Sequence, residues 1–171
     1  MKPKLKITTR DKEETNNLAG LLKKMDQIDY EYADAITDEI YKIQPFFLSV
    51  LLGYSYDVTR EELDEIMKIY FVIWEYFRSN PNVRKQKVTE EQFNKIQKKN
   101  IWMLKYFEGE SDENKKLNIY ADNIRNLRSK SLLTSVLFRF DNRPILSKMR
   151  SDHKGPVLIG IKSFIECFES L

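Results

Sequence analysis

The chain has 171 residues, of which 42% are hydrophobic and 12% aromatic, and its formal net charge at pH 7 is +3. A chain of this length buries roughly 70% of its unfolded surface, so this composition excludes intrinsic disorder and predicts a single domain over residues 1–171. Glycine and proline number only five each. Because sheet-rich folds need more turn residues than this, we expect an all-α fold.

The beginning of the chain carries no signal for secretion or membrane insertion. It is basic, but the apolar run of about 7–15 residues that marks a secretory signal does not follow. No apolar run approaches the roughly 18 residues of a membrane-spanning helix, and the single cysteine cannot form an intrachain disulfide. We therefore expect a cytoplasmic protein without membrane association. Residues 1–10 are predicted to form a flexible arm.

Helical periodicity begins after this arm. Thr8 or Thr9 is expected to cap a short helix. From Asp26 to Gly53, apolar residues then recur every three or four positions on one helical face. Pro45 interrupts this pattern and leaves two alternatives, one helix that is kinked at Pro45 or a second helix that begins there.

Two capping boxes predict where the next helices begin. Thr59 is followed three residues later by Glu62, and Thr89 is followed three residues later by Gln92. The first box opens a helix that is apolar nearly all round, so we expect this helix to be central and buried. The second box opens a helix that ends at Gly109.

Residues 112–140 resemble one long helix, but their apolar side chains do not share a face. The two halves point in directions about 150° apart on the helical wheel. The first half carries Leu117, Tyr120, Ala121, Ile124 and Leu127, and the second half carries Leu132, Leu133, Val136, Leu137 and Phe140. A straight helix cannot bury both faces against one neighbour, so a break is predicted near Ser129–Ser131.

The C-terminal part of the chain is expected to hold one loop and one helix. Residues 141–155 are predicted to form a basic loop, and Gly155–Pro156 is predicted to open the last helix. Together, the patterns predict six or seven helices, arranged in an irregular bundle or in a short stack of helical hairpins.

Few side chains are suited to catalysis or metal binding. His153 is the only histidine, whereas zinc sites and di-iron bundles usually take several ligands that include histidine. Cys167 lies beside an apolar stripe and is expected to be a buried, structural thiol. Asp34 and Asp38 lie one turn apart but opposite the apolar stripe of their helix, which favours a solvated acidic face over a cation site. We therefore predict no catalytic residue, no cofactor and no metal site.

Charge is segregated along the chain. Residues 26–75, the acidic segment, carry 12 acidic and three basic side chains, a local charge of −9. Residues 115–154 carry ten basic and three acidic side chains, a local charge of +7. A basic stretch of this kind binds either an external polyanion or the chain's own acidic helices.

These observations favour a non-enzymatic protein-interaction module, whose partner is another protein or a second copy of the chain. The alternative is nucleic-acid binding by residues 125–154, which we call the basic segment. Arginine is suited to bidentate phosphate contacts, which supports this alternative. The isoelectric point near 8.8 argues against it, because it is lower than the rough value of 9 typical of such domains. Trp102 lies off the apolar stripe of its helix, which indicates an interface. The candidate partner-binding residues are Arg125, Arg128, Arg139, Arg143, Lys148, Arg150 and Trp102.

Overall fold

The computed structural model describes residues 7–171, except for the side chains of Leu117 and Tyr120. Within this part the chain forms ten α-helices and one short 3-10 turn at Tyr54–Tyr56, with no strand. The helices are α1 Thr9–Met25, α2 Tyr30–Ile43, α3 Pro45–Gly53, α4 Arg60–Phe77, α5 Pro81–Lys85, α6 Glu90–Gly109, α7 Glu113–Arg125, α8 Lys130–Asn142, α9 Pro144–Ser147 and α10 Ser151–Ser170.

The all-α class is confirmed, but the predicted number of six or seven helices is too low. The helices α5 and α9 have only five and four residues, which is too short for a periodic pattern to reveal them. Each begins with a proline at its first position, where the missing N–H costs no helical hydrogen bond. A proline at the first position therefore marks the beginning of both short helices.

The beginnings of the longer helices follow the chemistry of their caps. Thr8 and Thr59 each form a complete capping box, with Asp11 and Glu62 as the reciprocal partners. Thr89 accepts a hydrogen bond from the amide of Gln92, which is one half of the predicted box. The helix α7 is capped by the carboxylate of Asp112. Of the residues 1–10 predicted to form a flexible arm, Thr9 and Arg10 belong to α1, and residues 1–6 lie outside the described part.

Two predicted interruptions are present. Pro45 occupies the first position of α3, so the alternative of a second helix is the correct one. The helix pattern over 112–140 is broken between Arg125 and Lys130, which lets the buried face of α8 point in a direction of its own. The predicted reason, two apolar faces that one straight helix cannot bury together, is consistent with this break.

The prediction of a basic loop over residues 141–155 is wrong. α8 continues to Asn142, α9 follows, and α10 already begins at Ser151. Gly155 and Pro156 therefore lie inside α10 and do not open it. The amide that Pro156 lacks costs one hydrogen bond near the beginning of the helix. This cost is offset by burial of the apolar face that follows, which consists of Val157, Ile161, Phe164, Ile165 and Phe168.

The helix α4 is the centre of the hydrophobic core, as predicted. It contacts α1, α8 and α9, and also α3 and α10. Phe47 of α3 joins these layers, because its ring centroid lies 4.6 Å from that of Tyr70, 4.8 Å from that of Phe164 and 5.1 Å from that of Phe168. The helix α6 lies along the outer side of α10, and this position leaves one face of α6 free of the core.

No helix in the described part of the chain is both long enough and apolar enough to cross a membrane.

Candidate partner-binding surface

The most buried members of the basic segment are bound by the acidic segment. Arg139 of α8 is only 5% exposed. Its Nη2 donates hydrogen bonds to Asp26 Oδ1 at 2.7 Å and to Glu65 Oε2 at 3.0 Å. Arg143 pairs with the other oxygen of Asp26, and its Nε lies 3.8 Å from Glu65 Oε2. The two oppositely charged segments therefore pack on each other inside one copy of the protein.

This cluster changes the acidity of Asp26. Partial burial disfavours its charged form, but the hydrogen bond and the charge of Arg139, together with the charge of Arg143, outweigh that effect. The pKa of Asp26 is held below its ordinary value as a result. The carboxylate is thus charged at neutral pH, and it holds both guanidinium groups at the end of α1.

The remaining basic candidates lie apart from this cluster, and the three arginines among them have separate acceptors. Arg125 lies 3.5 Å from Asp122 on its own helix, and Arg150 forms a bidentate pair with Asp152 at 3.1 and 2.6 Å. Arg128 donates to the backbone carbonyl of Glu169. Lys148 is exposed and has no acidic partner within residues 7–171. Several arginines of the basic segment are therefore paired with carboxylates of the chain itself, and Arg139 is not accessible to a partner.

Trp102 differs from the arginines because it lies on the surface. It is 74% exposed, and Tyr106, one turn further along α6, is 61% exposed. Lys95, Lys98 and Lys105 are exposed as well and lie within about 60° of Trp102 on the helical wheel. We call these five residues the basic aromatic face of α6.

The opposite side of α6 determines the direction of this face. The ring of Phe93 packs on that of Phe164, with centroids 4.4 Å apart. Asn100 is 5% exposed and donates hydrogen bonds to Ser163 Oγ at 3.0 Å and to Glu166 Oε2 at 2.6 Å. The apolar and the polar contact both lie on the α10 side, and together they fix the rotation of α6 about its own axis. The basic aromatic face therefore points to solvent.

Lys162 completes the polar contact between α6 and α10. Its Nζ donates to Asn100 Oδ1 at 2.7 Å and lies 3.2 Å from Glu166 Oε2. Burial lowers the pKa of Lys162, although the nearby Glu166 carboxylate opposes the shift. The network therefore uses its charged groups internally, and it orients α6.

A second exposed face has the opposite charge. Glu31, Asp34 and Asp38 of α2 are exposed, as expected for the Asp34–Asp38 pair. Tyr41 is 65% exposed, and Tyr30 at the beginning of the helix is 83% exposed. Glu31, Asp34 and Tyr41 lie within about 60° of Asp38 on the helical wheel, with Tyr30 at the edge. We call these five residues the acidic aromatic face of α2.

Sequence reasoning found Trp102 but missed both faces as units. The signal was present, because Lys95, Lys98 and Trp102 are spaced by three and four residues, as are Glu31, Asp34 and Asp38. Charged residues at helical spacing are usual on solvated helices, so the spacing alone did not distinguish these faces. The distinguishing feature is the exposure of their aromatic side chains, which requires the tertiary structure.

A buried thiol and an open cleft lie elsewhere in the molecule. Cys167 is fully buried, as predicted, and burial, with a smaller contribution from Glu166, raises the pKa of its thiol to about 12; the thiol is therefore protonated at neutral pH and is a poor nucleophile. An open cleft of about 600 Å³ lies between α6, α7 and α10, lined by Met103, Ile119 and Glu166 among others. Among its polar lining residues, Glu166 already belongs to the α6–α10 network.

No protein-family model, curated protein or solved structure was found to match this chain. The indications of function come from the geometry of the chain itself. That geometry consists of a buried ion-pair cluster and two exposed helical faces of opposite charge, each with exposed aromatic side chains.

Proposed function

We propose that the protein is a non-enzymatic helical interaction module that binds an acidic protein surface through the basic aromatic face of α6. The observation that carries this proposal is the 74% exposure of Trp102 among three lysines that form no ion pair within the described residues. The fold makes no use of these side chains. Tryptophan and tyrosine are enriched in the energetically important part of protein interfaces.

The two kinds of side chain on this face have different roles in the proposal. Covering an aromatic ring of this size removes roughly 150–250 Å² from water, so Trp102 and Tyr106 are the expected source of affinity. Lys95, Lys98 and Lys105 attract an acidic partner during its approach, which raises the association rate and favours partners of the correct charge. Loss of Trp102 is therefore expected to accelerate dissociation, and loss of the lysines is expected to slow association.

Nucleic-acid binding by residues 125–154 stays an alternative prediction. Its support is weaker than the sequence suggested, because Arg139 and Arg143 are held by Asp26 and Glu65. The basic aromatic face also has features that suit single-stranded nucleic acid, since bases stack on exposed aromatic rings between cationic side chains. An oligonucleotide is for this reason included in the test.

Trp102 provides a direct reporter for the test. The chain has two tryptophans, and the other, Trp74, is fully buried, so quenching of the emission by acrylamide reports on Trp102. The probe is a synthetic helical peptide with glutamates at every fourth position and one tyrosine, and the control peptide has lysines in place of the glutamates. We expect the acidic peptide to protect Trp102 from acrylamide and the control peptide to leave it accessible.

A Trp102→Phe variant provides the matched control, because it removes the quenchable emission and keeps the charge of the face. Failure of the acidic peptide to protect Trp102 at low salt would overturn the proposal. Protection by a single-stranded oligonucleotide, without protection by the acidic peptide, would replace it with nucleic-acid binding.

A further inference from the structure

We infer that the acidic partner is a second copy of this chain, which presents the acidic aromatic face of its α2 to the basic aromatic face of α6. This inference rests on the proposed function of α6 and identifies its partner. Both faces are exposed within one copy, so their complementary charges are not satisfied there. Contact between two copies is the arrangement that brings the two faces together.

Neither face contributes to the folding of its own copy. On α2, Ile36 and Ile40 are buried on the side that packs on the core, and the three carboxylates point away from it. Across residues 7–171, Glu31, Asp34 and Asp38 have no basic partner within ion-pair distance. Unlike Asp26 and Glu65, these carboxylates remain available to an external cation.

The order of charges along the two helices matches when the helices run antiparallel. At the beginning of the basic aromatic face of α6, Glu91 is followed by Lys95 and Lys98, all exposed. The exposed Lys99 lies at the edge of this face, 3.8 Å from Glu166 Oε1. Read backwards along α2, Lys42 is followed by Asp38 and Asp34, all exposed. Every position of one series therefore meets the opposite charge in the other.

The distances between the charges along α6 also match those along α2. At about 1.5 Å per residue, Lys95 and Lys98 lie roughly 6 and 10.5 Å beyond Glu91, and Asp38 and Asp34 lie roughly 6 and 12 Å from Lys42. Flexible lysine side chains easily accommodate the remaining difference. In this register Trp102 lies opposite Glu31 and next to Tyr30, so one exposed aromatic ring of each face comes into the contact.

A helix-on-helix contact of this length is small. It lies at the low end of the sizes of specific interfaces, so we expect a weak association that depends on charge. Because the two faces differ, each copy has one of each. Two reciprocal contacts would close a dimer, whereas single contacts would continue from copy to copy.

The experiment is analytical ultracentrifugation of the full chain at two salt concentrations, about 50 mM and 500 mM, which differ strongly in the screening of exposed charges. We expect self-association at low salt that weakens at high salt. Lys95→Glu with Lys98→Glu should lower the association constant at least about tenfold, and so should Asp34→Lys with Asp38→Lys, since each places like charges opposite one another.

The decisive variant carries all four substitutions. It restores opposite charges across the contact and has the wild-type net charge of +3, so it should associate again to within about threefold of the wild type. Matched controls reverse exposed charges elsewhere, Lys12→Glu with Lys23→Glu and Glu13→Lys with Asp64→Lys, and should associate like the wild type. Circular dichroism verifies that every variant is folded.

Three results would overturn the inference. They are a wild-type chain that stays monomeric at both salt concentrations, paired reversals that leave the association unchanged, and a fourfold variant that does not recover it. If the wild type is monomeric but the acidic peptide still protects Trp102, the inference fails and the proposed function stands. If the peptide gives no protection either, both fail.

Discussion

Arg139 on α8 donates a hydrogen bond of 3.0 Å to Glu65 on α4, although the two residues are 74 positions apart in the chain and both side chains are at least nine-tenths buried. Desolvation of two charges is costly, and their attraction offsets this cost only while both are present. The packing of α8 on α4 therefore requires that Arg139 and Glu65 lie next to each other. The pair also removes the most central arginine of the basic segment from any external interaction.

The first prediction concerns this pair. Arg139→Met should lower the free energy of unfolding by about 3 kcal/mol or more, because the buried charge of Glu65 loses its hydrogen bond from Arg139 and retains only Lys68, at 2.7 Å, and the more distant Arg143. Adding Glu65→Leu should recover most of the loss, since an apolar pair replaces the ionic one. Urea denaturation of the wild type, both single variants and the double variant gives the coupling. Independent, additive losses would contradict a direct pair.

The second prediction concerns acid stability. The pKa of Asp26 in the folded state lies below its ordinary value, so the unfolded chain binds this proton more readily. The contribution of Asp26 to stability is therefore fully present above the ordinary aspartate pKa of about 3.9 and is lost as the pH falls through the lower, folded pKa.

Unfolding measurements on the wild type and on Asp26→Asn check this sign. The difference in stability between them should be constant above about pH 5 and should shrink below about pH 4. A difference that persists unchanged at pH 2.5, or that grows as the solution becomes more acidic, would show that Asp26 is not stabilised in its charged form.

The third prediction concerns Gln44, a fully buried amide between α2 and α3. Its Nε2 donates to the carbonyls of Val83 and Gln86, both at 2.7 Å, and its Oε1 accepts from the amide of Val88 at 3.0 Å. Gln44→Leu keeps a similar volume but leaves three backbone groups without this partner. Unsatisfied buried polar groups cost about 1–3 kcal/mol each.

We therefore expect Gln44→Leu to destabilise the protein by at least about 3 kcal/mol in thermal or urea unfolding. Hydrogen exchange should show faster exchange at Val88, because its amide has lost its acceptor. A variant with unchanged stability and unchanged protection of Val88 would contradict this role. Gln92→Leu, a partly exposed glutamine on α6, is the matched control and should have a small effect.

The fourth prediction concerns Gly160 in α10. A Cβ atom at this position would clash with Tyr54 Oη, which itself forms a 3.2 Å hydrogen bond with Tyr70 Oη. Gly160→Ala should therefore be destabilising by about 1–3 kcal/mol, although alanine is the better helix former. Gly160→Ala with Tyr54→Phe should recover part of the loss, because the clashing oxygen is gone. Stabilisation by Gly160→Ala alone would refute the close contact.

Much of the local structure could be predicted because its causes are local. The cap at Thr59, a cap at Thr8 or Thr9 and the break before Lys130 each depend on chemistry within a few residues. The same local chemistry limited Pro45 to two alternatives, a kink or the start of a new helix. The central position of α4 followed from its apolar character on all sides. The extent of α10 could not be predicted, because Gly155 and Pro156 look like a helix start until the burial of the residues around them is known.

The sequence by itself determined the helical class, several helix boundaries and the separation of acidic from basic segments, because periodicity and composition act over short distances along the chain. Only the tertiary structure decided which charges are used internally. Arg139 and Arg143 bind Asp26 and Glu65 because packing brings α8 onto α4, whereas Lys95 and Asp38 stay exposed because α6 and α2 turn other faces to the core. The same formal charges therefore differ in accessibility, and accessibility depends on contacts between residues that are distant in the sequence.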